Sequence, residues 1–523
     1  MYKPVVLVVL DGWGLGKADK GNAIAEAKLP TIDKLNKFYP HTALQASGVS
    51  VGLPWGECGN SEVGHITLGA GKIIYQNMPR ITMAIQSGEF FKNTEFLKAV
   101  EHAQKTGGDL HLMGLIGKGG VHSYMDHLYA LLEFAKNQKV ERLFLHIFTD
   151  GRDSPPNSGA ESVMEIQKRL KRAGVGKIAT VCGRYFAMDR NNNWDRVQKA
   201  YDLMTKGIGE KIADPAEYMR ASYMKEKFDE YMEPAVVVEN GQPIALIKKG
   251  DSVVFFNFRE DRARQITKAF ALPGFSKFKR DQIKDLYFVT MTQYEDNLPV
   301  KVAFPPAGVK ESLGTILSKN NLAQLRIAET EKFAHVTYFF NGGAEDAFPG
   351  EDRIIVPSKA TESFDKVPEM SAGEITEKVI EAVNKEKYAF ILLNYANADI
   401  VAHTANEKAT IKAVEFVDKC LGELITAVLA KSGCLIITAD HGNAEELINN
   451  LNGERDTEHS INPVPVWFIT SENHRKTPFP QSKDNDNPEA AGLLSDIAPT
   501  ILELLKLKQP EEMTGESLLP MLK

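Results

Sequence analysis

Short apolar runs rich in Val, Ile and Phe recur along the whole chain. Runs of this length, bounded by polar residues, predict strands buried on both faces, as in a parallel sheet. Helix-like segments separate them. Ser158 with Glu161 and Ser371 with Glu374 have capping-box spacing, and Gly174 should end the first of these helices. This alternation predicts an α/β fold with a mostly parallel sheet and helices on both faces.

The runs differ in the residues that follow them. Three runs lead to aspartates: Val5–Leu10 before Asp11, Ala389–Leu393 shortly before Asp399, and Cys434–Thr438 just before Asp440. Three others lead to arginines: Leu143–Phe148 before Arg152, Ile178–Val181 before Arg184, and Val253–Phe256 before Arg259. Functional groups gather beyond the carboxyl ends of parallel strands. We therefore expect one acidic site suited to cations and one basic site suited to an anionic substrate.

The order of these runs predicts one domain inserted into another. The acidic runs lie towards the two ends of the chain and the basic runs lie in the middle. A length of 523 residues is also too great for one ordinary core. Breaker-rich segments at Gln76–Pro79 and Ala303–Gly308 predict the crossings. We expect a discontinuous domain of residues 1–76 and 308–523 and an inserted α/β domain of residues 77–307. The polar segment Ser471–Pro488 predicts a surface loop.

Composition narrows the classes of partner. The net charge of -7 gives no general attraction for nucleic acid or for an anionic membrane. The longest apolar runs are strand-sized, well short of the ~20 residues that span a bilayer. The four cysteines show neither metal-binding nor disulfide spacing. Reduced thiols are therefore expected, which favours a cytoplasmic protein.

The residues near the acidic runs suit a metal centre. Asp399 and His403 are four apart, so one helical turn could direct both at one ion. Carboxylate with imidazole favours Mn²⁺ or Zn²⁺, whereas carboxylates alone would favour Mg²⁺ or Ca²⁺. Taken singly, each residue could be an ordinary turn, cap or surface residue. Together they predict a two-metal site that clamps a phosphoryl group, built from Asp11, Asp399, His403, Asp440, His441 and His459.

A candidate nucleophile lies in the segment Asn60-Ser61-Glu62-Val63-Gly64-His65. Ser61 precedes a run that could start a helix, and the positive end of a helix favours an alkoxide and binds phosphoryl groups. A metal ion bound to the oxygen would activate it further. The alternative is a plain N-cap serine. Cys58, three residues away, is interpreted as structural.

The basic constellation suits an anionic substrate, because the arginine fork binds phosphate and carboxylate through two parallel hydrogen bonds. A salt-bridge network is the alternative. His122 could donate to a phosphate. The neighbouring cations should lower the pKa of Asp153, so that it could accept a proton from a substrate hydroxyl. Lys332 alone reads as a surface lysine. The arginines are Arg152, Arg184, Arg190, Arg259 and Arg262.

Ten stretches carry a resemblance that covers essentially the whole chain. They are VVLVVLDGWG, GNSEVGH, DGRDSPP, GRYFAMDR, NFREDRARQ, ETEKFAHVTYFFNGG, NYANADIVAHT, TADHGNAE, EHSINPVP and LSDIAPTILELL. With them the chain closely resembles the cofactor-independent phosphoglycerate mutases of the alkaline phosphatase superfamily. TADHGN alone would indicate only the superfamily.

The resemblance implies an alkaline-phosphatase-like metal domain and an isomerase of glycolysis and gluconeogenesis. The enzyme would interconvert 3- and 2-phosphoglycerate through a phosphoserine at Ser61, with two Mn²⁺ ions (Zn²⁺, Co²⁺ or Mg²⁺ being alternatives). It implies a monomer that needs no 2,3-bisphosphoglycerate and closes on its substrate. One ion would be held by Asp399, His403 and His459, and the other by Asp11, Ser61, Asp440 and His441. The implied substrate contacts are His122, Arg152, Asp153, Arg184, Arg190, Arg259, Arg262 and Lys332.

Four positions depart from the family pattern, and none is a proposed ligand or nucleophile. They are Tyr124, Ala402, Asn191 and Asn193. Three other functions remain open: a phosphatase or sulfatase with the same metal domain, a phosphopentomutase, and an inactive binding protein. The first predicts release of free phosphate. The second has a substrate without a carboxylate and should need fewer arginines. The third need not retain two metal ions.

Overall fold

The computed structural model describes residues 2–449, 453–479 and 489–522. The contacts divide the chain into two compact units. Unit 1 comprises Met1–Gln76 with Ala307–Lys523, and unit 2 comprises Asn77–Pro306. Of the predicted surface loop, residues 471–479 form neither helix nor strand, and residues 480–488 lie outside the described residues.

The strands alternate with helices, which confirms the predicted α/β class. The strands are β1 Val5–Leu10, β2 His41–Gln45, β3 Leu110–Ile116, β4 Leu143–Thr149, β5 Lys177–Gly183, β6 Glu210–Ile212, β7 Ala235–Glu239, β8 Gln242–Pro243, β9 Ser252–Phe255, β10 Tyr287–Thr292, β11 Lys301–Phe304, β12 Gln324–Glu329, β13 Glu351–Val356, β14 Phe390–Tyr395, β15 Cys434–Thr438, β16 Val464–Ile469 and β17 Gly492–Leu493.

None of the helices among the described residues is long and apolar enough to cross a membrane. The helices are α1 Ala23–Glu26, α2 Pro30–Phe38, α3 Ser61–Ala70, α4 Asn77–Ser87, α5 Thr94–Thr106, α6 Met125–Asn137, α7 Gly159–Ala173, α8 Arg184–Ala187, α9 Trp194–Lys206, α10 Pro215–Tyr223, α11 Arg264–Ala271, α12 Leu313–Lys319, α13 Ala372–Asn384, α14 Asn397–Ala402, α15 Glu407–Ala430 and α16 Ile497–Leu504. Short 3₁₀ turns include Asp229–Tyr231 and Thr330–Lys332.

Unit 1 contains an eight-stranded sheet in the order β13-β12-β14-β1-β15-β16-β2-β17. The five strands from β13 to β15 run parallel, and β16 is antiparallel to both of its neighbours. Every residue of β1 is buried, which requires cover on both faces of the sheet. The acidic runs predicted from sequence are β1, β14 and β15, and they lie side by side at the centre.

Unit 2 contains a nine-stranded sheet whose main path is β11-β10-β9-β3-β4-β5-β7-β6, with β8 paired to β7. Alternate residues of β9 enter two separate cores. Val254 packs with α5, α6 and α7 on one face, whereas Phe255 packs with α9 and α11 on the other. Because side chains alternate across a strand, this division shows helices on both faces of the sheet.

The two predicted capping boxes are wrong, although the helices begin where expected. Ser158 and Ser371 occupy the N-cap positions of α7 and α13, but neither side chain caps its helix. Both hydroxyls instead donate to the carbonyl of a preceding proline, Pro155 in one case and Pro357 in the other. Gly174 ends α7 in the left-handed conformation, as predicted.

Candidate active-site residues in the two units

The acidic residues of unit 1 converge because their strands are neighbours. β14, β1 and β15 are adjacent and parallel, so their carboxyl ends meet at one edge of the sheet. Asp11 directly follows β1, and Asp440 lies just beyond β15. Asp399 lies in the first turn of α14, which follows β14. All three aspartates are buried.

Ser61 is the first residue of α3, at the same edge. Its neighbour Asn60 caps the helix by accepting from the N–H of Val63 at 3.1 Å. The plain N-cap role is therefore held by Asn60, and the Ser61 hydroxyl is left for other contacts. Its Oγ lies 3.1 Å from Asp11 Oδ1, 3.0 Å from His441 Nε2 and 2.7 Å from the ammonium nitrogen of Lys332.

Lys332 is buried in this cluster, so the surface position that its local sequence suggested is wrong. It follows β12, which pairs with β14, in a short 3₁₀ turn. Its Nζ donates to Asp11 at 2.6 Å and to Asp399 at 2.7 Å. Burial would lower the pKa of Lys332, but the surrounding carboxylates outweigh it and raise that pKa.

Three groups of carboxylate and imidazole atoms in unit 1 lie close enough to share an ion. They are Asp399 with His403 and His459, Asp11 with Asp399 and His441, and Asp11 with His65 and Asp440. Asp399 Oδ1 is 3.3 Å from the Nε2 atoms of both His403 and His459. The helical spacing of Asp399 and His403 thus brings the two together as expected.

The orientation of the histidines fits metal binding. Nδ1 of His403 lies 2.7 Å from the Thr457 carbonyl, and Nδ1 of His459 lies 2.8 Å from the Gly59 carbonyl. Nδ1 of His441 lies 3.2 Å from the Gly442 carbonyl. A proton on each Nδ1 satisfies these carbonyls, so Nε2 is the nitrogen left to bind a metal ion, as in metal-ligating histidines generally. The donor set therefore fits divalent metal ions.

The electrostatics of the cluster also favour cations. Burial opposes ionisation of Asp11 and Asp399, yet the ammonium of Lys332 dominates and lowers both pKa values. Burial would likewise lower the pKa of His441, but Asp440 and its fellow carboxylates raise it to about 10. Several negative charges are thus concentrated in a site shielded from solvent, where they interact more strongly with a cation than they would in water.

Three supporting residues of this site were not singled out from the sequence. His65 is fully buried, with Nδ1 2.8 Å from the Ser61 carbonyl. Asn394 Nδ2 lies 3.2 Å from His65 Nε2 and donates to Asp11 Oδ2 at 2.6 Å. Asn443 Nδ2 donates to Asp399 Oδ1 at 2.8 Å. His65 follows Ser61 by one helical turn, which was a usable signal.

Glu445 joins the loops that carry the acidic residues. Its buried carboxylate accepts from the N–H of Gly14 and of Asn443, both at 2.9 Å, from Asn462 Nδ2 at 3.0 Å and from the Ser460 hydroxyl. These four donors lie near Asp11, His441 and His459 in sequence. Glu445 is therefore placed to fix the positions of these loops relative to one another.

The basic residues of unit 2 gather beyond β4, β5 and β9. Arg184 is the most buried of them, and its Nη1 donates to Asp150 at 2.5 Å and to Asp153 at 2.6 Å. Burial opposes ionisation of Asp153, but the hydrogen bond and charge of Arg184 lower its pKa, in the predicted direction. Asp150 also accepts from the N–H groups of Arg152 and Asp153. The salt-bridge alternative is thus partly realised around Arg184.

The other arginines lie near Arg184. Burial lowers the pKa of Arg262, and the positive charges of Arg184, Arg190 and Arg152 lower it further. Arg262 Nη1 donates to the Met188 carbonyl at 3.2 Å. The side chains of Arg152, Arg190 and Arg259 remain about half exposed. Their charges are therefore available to an anionic ligand.

His122 is buried beside these groups. Its Nε2 lies 3.9 Å from Asp153 Oδ2, and its Nδ1 lies 3.5 Å from Asp261 Oδ1. Burial, with Arg184 nearby, lowers the pKa of His122 to about 4. The imidazole is therefore neutral near pH 7. His127 is a packed histidine, buried against the rings of Tyr124 and Phe258.

Asp229 joins segments of the chain that lie next to these basic residues. Its carboxylate accepts from the N–H of Gly159 at 2.7 Å and from the Tyr223 hydroxyl, and its backbone carbonyl accepts from Thr149 at 2.7 Å. The next residue, Glu230, lies 3.4 Å from Arg152 Nη1. Burial raises the pKa of Asp229 to about 6.

A further three-residue group in unit 2, formed by Asp109, His111 and Asp251, has donors close enough for an ion. Its carboxylates are already engaged by Lys248, Arg142 and two backbone N–H groups. His111 lies 3.1 Å from Asp251 Oδ2. We interpret this group as part of the hydrogen bonding at the amino-terminal edge of the sheet.

Two family models each match part of the chain. Residues 81–296 match the family model described as BPG-independent PGAM N-terminus, and residues 319–461 match that of type I phosphodiesterase / nucleotide pyrophosphatase. A 2,3-bisphosphoglycerate-independent phosphoglycerate mutase of Clostridium beijerinckii is 49% identical over 519 residues, 99% of each chain. One from Moorella thermoacetica is 48% identical over 518 residues, 99% of this chain and 98% of the relative. The chain belongs to the family of these mutases.

A solved member of this mutase family has a related structure. It is a phosphoglycerate mutase of Leishmania mexicana, determined at low cobalt concentration. That protein is 31% identical, with a TM-score of 0.54, and the match covers 99% of this chain and 97% of the other. The resemblance drawn from ten sequence stretches is thus confirmed.

The departures from the mutase family pattern sit in ordinary structural roles. Tyr124 precedes α6 and packs its ring edge-on against His127. Ala402 is buried at the end of α14. Asn191 and Asn193 both donate backbone N–H groups to Asp189 Oδ1 at 2.9 Å.

Replacing Asp229 should change how stability depends on pH. An aspartate with a folded-state pKa near 6 and an unfolded value of ~3.9 binds its proton more readily when folded. The stability it contributes is therefore greatest at about pH 4 and is lost as the pH rises to about 6. The free energy of unfolding of the parent minus that of Asp229→Asn should decrease by about 2–3 kcal/mol between pH 4 and pH 7. Urea unfolding measures it. The exposed Asp281→Asn variant should show a constant margin, and a constant margin for Asp229→Asn would refute the assignment.

Replacing Glu445 should weaken metal binding. Four groups donate hydrogen bonds to its carboxylate. In Glu445→Gln an amide N–H would face one of these donors, so a hydrogen bond would be lost and the three loops would be held less firmly. We expect the affinity for Mn²⁺, measured calorimetrically, to fall about 10- to 100-fold, as for other outer-shell changes. The exposed Glu503→Gln variant on α16 serves as control. Equal affinities in the two variants would show that Glu445 does not order the site.

Proposed function

We propose that this chain is a 2,3-bisphosphoglycerate-independent phosphoglycerate mutase. It interconverts 3-phosphoglycerate and 2-phosphoglycerate, in glycolysis and gluconeogenesis, by an internal phosphoryl transfer. The observation that supports this most is the serine hydroxyl at the start of α3, which faces Asp11, His441 and Lys332. The chain is also 48–49% identical, over nearly its full length, to enzymes of that name, which supports this reaction over other phosphoryl transfers.

The two units divide the work. Residues 1–76 and 308–523 form the metal-binding, phosphatase-like domain, and residues 77–307 form the inserted substrate-binding domain. The division follows from the charges. Unit 1 buries aspartates and histidines together, whereas unit 2 gathers the arginines.

Two Mn²⁺ ions are the proposed cofactors, with Zn²⁺, Co²⁺ or Mg²⁺ as alternatives. Mixed carboxylate and imidazole donors favour Mn²⁺ over Mg²⁺. When bound, the ions stabilise negative charge on the phosphoryl oxygens and on the serine oxygen. One ion is held by Asp399, His403 and His459, and the other by Asp11, Ser61, Asp440 and His441.

The substrate is held through both of its anionic groups. Guanidinium forks suit its carboxylate and phosphate, and the arginines of unit 2 supply the positive charge. Asp153 stays ionised because Arg184 lowers its pKa, so it can act as a base. Lys332 extends the phosphate contacts in unit 1. The proposed substrate residues are His122, Arg152, Asp153, Arg184, Arg190, Arg259, Arg262 and Lys332.

The transfer proceeds in two steps. Ser61 Oγ attacks the phosphorus of 3-phosphoglycerate, and the bond from phosphorus to the substrate oxygen breaks to leave phosphoserine and glycerate. Ser61 Oγ gives up its proton as it attacks, and the leaving oxygen takes up a proton, so no net proton is gained or lost in this step. The glycerate reorients, Asp153 removes the proton from its other hydroxyl, and that oxygen attacks the phosphoserine. The bond from phosphorus to Ser61 Oγ breaks, and the serine oxygen takes up the proton that restores its hydroxyl. Lys332 stabilises the developing charge in both steps.

Exclusion of water separates a mutase from a phosphatase, because water would hydrolyse the phosphoserine. The arginine pocket favours the mutase, since a phosphatase has no need to retain a carboxylate-bearing glycerate. The enzyme is further proposed to act as a monomer in the cytoplasm, on small phosphoglycerates and without nucleic acid.

One assay tests the proposal. Purified protein is supplied with 3-phosphoglycerate and Mn²⁺ and no 2,3-bisphosphoglycerate, and both 2-phosphoglycerate and inorganic phosphate are followed. We expect 2-phosphoglycerate without comparable phosphate release, and loss of turnover after dialysis against a chelator. Phosphate as the main product would establish a phosphatase instead.

The nucleophile is tested separately. Ser61→Ala removes the oxygen that accepts the phosphoryl group, so mutase turnover should fall by at least about 10⁴-fold. The exposed Ser471→Ala variant is the control and should keep full activity. Trapped phosphoserine should appear at Ser61 by mass spectrometry in the parent only. Substantial turnover in Ser61→Ala would refute this role.

A further inference from the structure

Asp261 lies at the centre of the basic pocket, although nothing in the sequence singled it out. Its Oδ2 accepts from Arg190 Nη1 at 2.7 Å. Its Oδ1 lies 3.3 Å from Arg259 Nε and 3.5 Å from His122 Nδ1. One carboxylate thus faces three of the side chains that the mutase proposal assigns to the substrate.

The facing atoms of Asp261 and His122 are both buried, and the other charged contact of Asp261 Oδ1 is the ion pair with Arg259. Neither Asp261 Oδ1 nor His122 Nδ1 forms a hydrogen bond within the described part of the chain. A buried polar atom left without a hydrogen-bond partner is destabilising. A separation of 3.5 Å is longer than a formed N–H···O bond, and a shift of about half an ångström would satisfy both atoms.

The backbone holds the two residues in this relation. The His122 carbonyl accepts from the N–H of Phe258 at 2.8 Å, and the Arg259 N–H lies 3.4 Å from it. The Phe258 carbonyl in turn accepts from Thr292 Oγ1 at 2.8 Å. The loop that carries Asp261 is therefore tied directly to the main chain of His122.

The position of the imidazole proton follows from this arrangement. His122 is neutral near pH 7 because burial and Arg184 lower its pKa to about 4, so the ring carries one proton. The nitrogen that carries it is set by the partner of the ring. Both neighbouring carboxylates accept only, but Asp261 lies 3.5 Å from Nδ1 whereas Asp153 lies 3.9 Å from Nε2, so the nearer carboxylate favours the tautomer with the proton on Nδ1. Nε2 is then an acceptor, 3.9 Å from the second acceptor, Asp153 Oδ2.

We propose that Asp261 is a positioning residue that fixes His122 as the Nδ1–H tautomer, so that Nε2 and Asp153 together accept the hydrogen bond of a substrate hydroxyl. His122 then does not donate to a phosphate, which revises the role suggested by its sequence context. The assignment of the hydroxyl rests on the proposed mutase function; that of the tautomer does not. Both phosphoglycerates carry one free hydroxyl, and two acceptors 3.9 Å apart are placed to receive its proton.

This role predicts a particular kinetic split. Asp261 also offsets the charges of Arg190 and Arg259, so removing its carboxylate leaves those arginines freer to bind an anion. The KM for 3-phosphoglycerate should therefore stay constant or fall in Asp261→Asn. The kcat should fall about 10- to 100-fold, because the acceptor pair is no longer oriented. A general loss of structure would instead raise KM along with lowering kcat.

The tautomer is measured directly on the full chain loaded with Mg²⁺, a diamagnetic ion. Long-range ¹⁵N–¹H correlation spectra of histidine-labelled protein identify the protonated nitrogen of His122, assigned by the signal lost in His122→Gln. We expect Nδ1–H in the parent and a shift towards Nε2–H in Asp261→Asn. The control is Asp285→Asn, which removes an aspartate 3.3 Å from His102 Nε2. It should leave both the His122 signal and the kcat unchanged.

Each outcome decides one part of the proposal. An Nε2–H tautomer in the parent protein would overturn it without any variant, even if Asp261→Asn failed to fold. A changed tautomer with an unchanged kcat would overturn the role of Asp261 in turnover. Partial recovery of kcat in Asp261→Glu would support the need for a carboxylate. If the parent converted no 3-phosphoglycerate, the mutase function would fail while the tautomer result still stood.

Discussion

The concentration of buried negative charge at one sheet edge is the constraint on which the rest of unit 1 depends. Asp11, Asp399 and Asp440 are brought together because β1, β14 and β15 are parallel neighbours. Like charges shielded from water repel strongly unless cations accompany them. The ammonium of Lys332 neutralises part of this negative charge, and the carboxylates raise the pKa of Lys332 and that of His441. The Nε2 atoms of His403, His441 and His459 lie close to these carboxylates, and together they suit divalent ions.

Unit 2 concentrates positive charge instead, and acidic residues pair with its arginines. Asp150 and Asp153 hold Arg184, Glu230 contacts Arg152, and Asp261 holds Arg190. Such pairing holds flexible cationic side chains in a narrow set of positions. It also limits how far the guanidinium groups repel one another. The pocket is therefore ordered by its carboxylates as much as by its arginines.

The sequence predicted what depends on local pattern. The strands before Asp11, Asp440 and Arg184 were visible as apolar runs. The rule that functional groups gather at the carboxyl ends of parallel strands predicted that the aspartates would lie close together. Lys332 was missed locally because its burial depends on β12 pairing with β14, which no local pattern encodes. The capping boxes were predicted wrongly because each serine hydroxyl donates to the carbonyl of a proline instead of accepting from its helix. Asp261 lies in a charged segment whose pairing depends on a loop 139 residues away in sequence, at His122 (261 − 122).

The central position of β1 has a consequence for how the chain folds. This strand precedes unit 2 in the chain, yet both of its sheet neighbours, β14 and β15, are made only after the whole of unit 2. During synthesis its six buried residues have no partner strand to cover them. Contacts so distant in sequence form slowly and leave apolar surface exposed in the meantime. Unit 2, which is continuous, can mature early, whereas the acidic cluster is completed among the last parts of the molecule.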